Sequence, residues 1–194
     1  MDSAGDVCNT QLNMIYSMKK LLRIIIPLTA AATALILGLD IISEYSLKKR
    51  TAEGIVSLPT VDFQSLEGQW VSLTSFDPNK AVVVRYFHPE CIFCQYEASE
   101  IAGYAELFSE IQVIMITADN SIDRVSQFAN EYNLYEIDNL ILLIDYHQRF
   151  QQTFGKATLP STYLYNNQHK LIKQFQGTTH PEAILKALAI NASE

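Results

Sequence analysis

The chain has 194 residues, with 14 Lys and Arg against 21 Asp and Glu, for a formal net charge of −7. That length suits one domain of ordinary size plus an extension. The acidic balance argues against nucleic acid as a partner, because its phosphates would be repelled.

The N-terminus departs from a globular pattern. Residues 24–39 carry no charge, and Ile41 and Ile42 extend the run past Asp40. A span of hydrocarbon needs about 17–25 such residues, so the run is just long enough. Lys19, Lys20 and Arg23 crowd its upstream edge as a cytoplasmic flank would, although Lys48, Lys49 and Arg50 nearly balance them downstream. Three readings compete: an uncleaved anchor, a cleaved signal peptide and a buried core helix. A signal peptide wants a shorter apolar region and then a small-x-small cleavage site, which residues 40–44 do not supply. A core helix wants polar residues along one side. The anchor is therefore the expectation, with residues 1–20 cytoplasmic, 21–42 a transmembrane helix, 43–57 a tether and 58–194 the soluble domain. Met18, followed by Lys19 and Lys20, also reads as a natural start. Residues 1–17, with the lone Cys8, stand open between a real leader and an over-extended start.

In the soluble part, Phe63 and the run Trp70, Val71, Ser72, Leu73 flank the turn signal Glu67-Gly68 and predict an opening β-hairpin. Residues 81–87 (Ala-Val-Val-Val-Arg-Tyr-Phe) read as a buried strand ended by His88-Pro89. A helix follows over residues 95–108, with Ile101, Tyr104, Ala105 and Phe108 on one face. Residues 112–117 predict a strand, and Asn120 or Ser121 caps a helix burying Ile122, Val125, Phe128, Ala129 and Tyr132. A strand at 140–144 and a short helix ending at Gly155 come next. Strands at 161–165 and 170–176 are joined by a polar turn, and Thr179 with Glu182 spells a capping box for the last helix. Alternating segments that end on a hairpin and helix predict an α/β sandwich with a mixed sheet.

The pair Cys91 and Cys94 sits at the strand-to-helix turn. A thiol there lies in the positive field of the helix N-terminus, which favours thiolate. A second thiol one turn later can attack any mixed disulfide that the first one forms. Two plainer readings exist. Half of a zinc site would need four ligands, and only His88 is near, with His147, His169 and His180 scattered and no second C-x-x-C. A structural disulfide here would close a tiny loop and add little stability in the loop-entropy picture. Redox chemistry is the expectation, with no metal and no organic cofactor.

The segment Phe87-His88-Pro89-Glu90-Cys91-Ile92-Phe93-Cys94-Gln95-Tyr96-Glu97 stands upstream of Gly155-Lys156-Ala157-Thr158-Leu159-Pro160-Ser161-Thr162-Tyr163-Leu164. The two together resemble the thioredoxin superfamily, most of all its membrane-anchored TlpA-like and ResA-like branch, over about residues 57–190. The resemblance implies a three-layer α/β/α sandwich with a mixed central sheet, an N-terminal β-hairpin and an N-terminal transmembrane helix. It also implies roles. Cys91 would be the exposed attacking thiolate and Cys94 the buried resolving thiol. Pro160 would be a cis-proline facing the disulfide and presenting backbone to an extended substrate segment, with Leu159 beside it, where the plainer reading is a trans proline at a strand start. Phe93 itself reads equally as a docking surface for a hydrophobic segment or as filler. Glu97 lies one turn past Cys94 on the same helical face. In the ResA-like branch a glutamate here belongs to the active site, where it would help deprotonate Cys94; the alternative is a solvated helix carboxylate.

The chain also departs from the pattern. Arg85 occupies the strand position where thioredoxin has its buried acid, Glu90 stands where a tryptophan usually precedes the first cysteine, and Ile92-Phe93 lacks the common proline.

The function implied is a membrane-tethered thiol–disulfide oxidoreductase. Its catalytic domain would face the periplasm or an equivalent exterior from a single-pass anchor in the inner membrane. Its partners would be protein thiols and disulfides, with cytochrome c maturation or envelope proteins suggested by family analogy, and an upstream redox donor. Two rivals differ. A peroxiredoxin-like peroxidase would need P-x-x-x-[ST]-x-x-C, but position 84 is Val and position 88 is His. A copper-binding assembly protein on the same fold would use C-x-x-x-C, one residue longer.

Overall fold

The computed structural model describes residues 52–191, together with 33, 35–39, 42 and 43. Contacts divide the chain into two units, residues 1–48 and 49–194. The cytoplasmic segment expected at 1–20, most of the helix expected at 21–42 and the first half of the tether lie outside the described residues. Those described in the first unit are helical, and Leu35, Ile36, Leu37, Leu39 and Ile42 are exposed. Among the described residues no helix is long and apolar enough to cross a membrane.

The second unit is built on a seven-stranded mixed sheet. In chain order the strands are β1 (Asp62–Ser65), β2 (Trp70–Ser72), β3 (Ala81–Phe87), β4 (Ile111–Thr117), β5 (Leu140–Ile144), β6 (Ser161–Tyr165) and β7 (Leu171–Gln176). Their spatial order is β2-β1-β5-β4-β3-β6-β7. The three inner strands β3, β4 and β5 are parallel and almost continuously apolar, as strands covered on both faces must be. The opening hairpin turns at Gly68, whose φ of +85° is a conformation that glycine adopts without a Cβ penalty.

Among the described residues four helices cover the sheet: α1 (Ile92–Gly103), α2 (Ile122–Glu131), α3 (Arg149–Phe154) and α4 (Pro181–Asn191). Side-chain alternation along β3 divides the core in two. Val83 and Phe87 pack with Cys94, Ala98 and Ile101 of α1, Val125, Phe128 and Ala129 of α2, and Ile184 of α4. Val82, Val84 and Tyr86 face the other way, against Phe150 and Phe154 of α3, Tyr163 and Tyr165. The result is the expected three-layer sandwich.

The differences from expectation are local. Helix α1 begins at Ile92 rather than 95 and ends near Gly103, and Ala105–Phe108 continue as a 3₁₀ turn. That turn still buries Phe108. Ser121 is the cap of α2, accepting from Arg124 N–H at 3.3 Å, but Ile122 is left exposed. The capping box expected at Thr179 and Glu182 is replaced. The Thr179 N–H donates to Glu97, Glu182 accepts from the Tyr104 hydroxyl, and the carbonyl of His180 receives the first helical N–H groups. Both halves of that motif tie α4 to α1 instead. Residues 55–57, read from sequence as the end of a tether, are packed onto the domain. Ile55 and Leu58 are buried, and the carbonyl of Val56 accepts from Leu171 at 2.8 Å.

Candidate active site

Strand β3 is central and parallel to β4, so its C-terminal end opens at one edge of the sandwich, where crossover loops of parallel sheets gather functional groups. The chain leaves it at Phe87 and enters α1 through His88, Pro89 and Glu90. Proline at 89 disfavours helical backbone at His88, so the helix cannot start until the turn is complete. Cys91 is the N-cap residue (φ −80°, ψ 114°), and no side chain caps the helix. Its N–H donates to the carbonyl of His88 at 3.0 Å, and Nε2 of Gln95 donates to the carbonyl of Pro89 at 2.8 Å. These bonds fix the loop, and the uncapped first-turn N–H groups keep their partial positive charge beside Cys91.

The two cysteines are both free thiols and differ in exposure: Cys91 is half-buried, whereas Cys94 is 1% exposed. Burial pushes the Cys94 thiol well up from its ordinary pKa. The Cys91 sulfur beside it and the Glu97 carboxylate act in the same direction, against a smaller opposing pull from the backbone of His88. Cys94 is thus held protonated until something takes its proton.

Glu97 is not a solvated carboxylate. It is 3% exposed on the buried face of α1, with Cys94, Ala98 and Ile101. One oxygen, Oε1, accepts the backbone N–H of Thr179 at 2.5 Å. The other, Oε2, meets Nη2 of Arg85 at 2.5 Å. Arg85 is itself 1% exposed, in mid-strand between Val84 and Tyr86. Burial raises the pKa of Glu97, while Arg85 and the Thr179 N–H pull it down again, with a smaller contribution from His180. The net effect is a carboxyl group lifted above its usual range, which brings it closer to the operating range of a general base.

Pro160 enters from the far side. The Leu159–Pro160 peptide is cis, as the resemblance implied. The register Tyr86↔Ser161 sets Pro160 beside the end of β3, from which the cysteine loop departs. The carbonyl of Pro160 accepts from Gly177 N–H at 2.8 Å, and Ser161 Oγ donates to the carbonyl of Thr158 at 2.5 Å. Leu159 is exposed at 40%, and on α1 Ile92, Phe93 and Tyr96 are exposed at 71%, 59% and 45%. Apolar side chains therefore flank the cysteine pair instead of being withdrawn into the core.

Sequence reasoning did not find two features. The first is the partner of Glu97. The only signal was a lone arginine in a seven-residue apolar strand, which could not be kept charged there without a buried acid. The second is a surface network that braces the cysteine loop. Arg124 bridges Glu90 (2.6 Å) and Asp119 (2.8 Å), and Asp119 lies 3.9 Å from His88 Nε2. More than 30 residues separate Glu90 from Arg124, and no local pattern announces such a contact. Among the described residues no three His, Cys, Asp or Glu side chains converge as a metal site.

Chemically, a half-exposed thiol and a buried thiol one turn apart, with an acid–base group behind the second, can exchange one disulfide for another. Comparison with known proteins agrees. The model of the AhpC/TSA family matches residues 56–174. The thiol-disulfide oxidoreductase ResA of Bacillus cereus is 24% identical over 172 residues, covering 86% of this chain and 95% of that protein. Among solved structures, a secreted thiol-disulfide isomerase from Corynebacterium glutamicum superposes with a TM-score of 0.60 at 20% identity, over 71% of this chain and 86% of its own. A secreted Mycobacterium tuberculosis disulfide oxidoreductase homologous to E. coli DsbE gives 0.58 at 17% identity, over 68% and 96%. At those identities the superpositions establish a shared fold.

Proposed function

The chain belongs to the AhpC/TSA family, and from that premise we propose that it is a thiol–disulfide oxidoreductase acting on protein cysteines through Cys91 and Cys94. The observation that carries this reading is the contrast between the two sulfurs: Cys91 half-exposed at an uncapped helix start, and Cys94 buried behind it with Glu97 and Arg85.

The reaction has two steps. The thiolate of Cys91 attacks one sulfur of a partner disulfide, forming a mixed disulfide and expelling the other partner sulfur as a thiolate, which takes a proton from solvent. Glu97 then accepts the proton of Cys94, whose sulfur attacks Cys91 Sγ. That bond forms the Cys91–Cys94 disulfide and releases the second partner thiolate. The partner gains two electrons and the dithiol loses two. A partner strand binds across the cis Leu159–Pro160 edge, with Leu159, Phe93, Ile92 and Tyr96 offering apolar contact.

For the peroxidase alternative, the residue types its pattern requires are missing. Val84 is fully buried in mid-strand and His88 engages Glu90 N–H through Nδ1 at 3.2 Å. A copper site has no ligand set to support it among the described residues.

The domain works outside the cytoplasm, tethered by the apolar run at residues 24–39. The secreted character of its structural relatives supports the compartment, and the exposed Leu35, Ile36, Leu37 and Leu39 support a lipid-facing helix. Retention in the membrane through an alkaline carbonate wash is the expected behaviour, and a soluble form beginning near residue 40 would refute the tether. For the activity itself, a Cys94→Ser chain incubated with a disulfide-containing protein should arrest as a mixed disulfide through Cys91. A chain that traps nothing, yet consumes hydrogen peroxide, would be a peroxidase instead.

A further inference from the structure

The mid-strand arginine raises a problem that the two-step reaction leaves open. Taking a proton from Cys94 creates a thiolate in a place with 1% exposure, where an uncompensated charge is strongly disfavoured. Glu97, if it were alone there, would be driven to its neutral form by the same burial and could accept nothing.

Arg85 answers both difficulties. It lies on the same face of β3 as Val83 and Phe87, the face covered by Cys94 and α1. Its Nη2 forms an ion pair with Glu97 Oε2 at 2.5 Å, and neither Nη1 nor Nη2 has an aligned hydrogen-bond partner although both are buried. A guanidinium cannot give up its charge under working conditions, and an unpaired buried donor is costly enough to call for an explanation. Before proton transfer the cluster holds Arg85⁺, Glu97⁻ and a Cys94 thiol. After transfer it holds Arg85⁺, a neutral Glu97 and a Cys94 thiolate. The sum is zero in both states.

We propose that Arg85 is a positioning residue of the resolving step, whose fixed positive charge keeps Glu97 ionised before the proton moves and balances the Cys94 thiolate afterwards. This rests on the reading of Glu97 as the base. The strand position at which thioredoxin carries an acid here carries the counter-charge, and the acid has moved onto the helix. The negative charge crosses from an oxygen to a sulfur without the buried site ever becoming net negative. The cluster faces few other titratable groups. His180 at the start of α4 is 3.6 Å from Glu100 and acts on Glu97 from a distance, Cys91 lies beside Cys94, and Thr179 contributes only its backbone N–H. Burial lowers the pKa of Arg85, and Glu97 and Cys94 oppose that shift electrostatically.

The test follows the rate at which full-length chain resolves a preformed Cys91 mixed disulfide, across pH, with the initial attack by Cys91 as internal control. Arg85→Met should slow resolution on the order of 10²-fold, the lower end for a lost general base. It should also displace the pH profile upward, because Glu97 without its counter-charge ionises only at higher pH. Arg85→Lys, which keeps the charge, should recover most of the rate. The pair Arg85→Met with Glu97→Gln should be slower than Glu97→Gln alone, because the Cys94 thiolate has lost its counter-charge. The factor should be smaller than the one Arg85→Met costs the wild-type chain, because the share that acts through Glu97 is already gone. A wild-type rate and profile in Arg85→Met, or an Arg85→Lys as slow as Arg85→Met, would overturn the inference. Should Arg85→Met fail to fold, the lysine variant and the charge-neutral double variant decide it: a double variant as fast as Glu97→Gln, or a lysine variant as slow as Glu97→Gln, would contradict it. Failure of the underlying reading shows differently, as a Glu97→Gln chain that resolves at the wild-type rate.

Discussion

The backbone N–H of Thr179 donates to Oε1 of Glu97 at 2.5 Å, joining the approach to α4 to the second turn of the cysteine helix. Together with Arg85 on the other oxygen, it gives the carboxylate two charge-assisted contacts and leaves it a single orientation. Glu97 is therefore placed by three elements of the fold: the helix that carries it, the central strand beneath it and the loop before the last helix.

Substituting Glu97→Gln should slow resolution of the mixed disulfide on the order of 10²-fold while leaving the first attack by Cys91 unchanged. In the wild-type chain that step should accelerate with pH through a carboxyl transition above the ordinary Glu range, because burial raises the Glu97 pKa and the base works only when ionised. The rise should vanish in the variant. Quenched-flow trapping of the mixed disulfide at several pH values measures both, and equal rates at every pH would return Glu97 to a structural role.

The sulfurs should differ in reactivity. Near neutral pH, iodoacetamide should modify Cys91 of the reduced chain much faster than Cys94, which is buried and held protonated. Peptide mapping after brief alkylation reads this directly. Labelling of Cys94 first would reverse the assigned roles.

Stability should depend on pH in a way specific to Cys94. Its folded pKa is raised, so when the unfolded chain loses that proton from about pH 8.5 upward, the native state retains it. The native state then binds more protons, and stability falls as pH rises. Reduced wild-type chain should lose more stability between pH 8 and pH 10 in urea titrations than reduced Cys94→Ser does. Tyr163, pushed by burial up to about 12, contributes equally to both chains and cancels. Parallel losses would show that Cys94 ionises freely in the fold.

Much of this was legible before any coordinates. Strand β3 was read to the residue from its unbroken apolar run, and β5 and β6 likewise, because buried parallel and central strands carry a strong signal. The start of α1 was read three residues late, since Ile92 and Phe93 are exposed on its first turn and supply no helical periodicity. The Thr179–Glu182 spacing matched a capping box that tertiary contacts overrode: Glu97 took the N–H and Tyr104 took the carboxylate. The cysteine pair and Glu97 could be found because they share one local helix. Arg85 as the partner of Glu97, and Arg124 as a brace on Glu90, depend on strands and helices meeting in space, and a linear pattern does not encode that.

Exposed apolar side chains beside Cys91 should govern partner binding without governing thiol chemistry. Replacing Phe93 and Leu159 together by Ser should raise the KM for a protein disulfide about tenfold, as expected when apolar contact worth on the order of 1.5 kcal/mol is lost. The rate with a small disulfide such as oxidised dithiothreitol should not change. Parallel effects on both substrates would place these residues in the chemistry or the fold.

The most direct test of the central claim is a redox titration of the full-length chain in glutathione buffers, with alkylation of the remaining thiols and mass mapping at each potential. The account predicts one two-electron transition in which Cys91 and Cys94 pass together from dithiol to a mutual disulfide. Its midpoint should fall within the span of about −270 to −120 mV that couples of this type cover. Formation of no Cys91–Cys94 disulfide at any potential, or oxidation of Cys91 alone to a sulfur oxyacid, would contradict it.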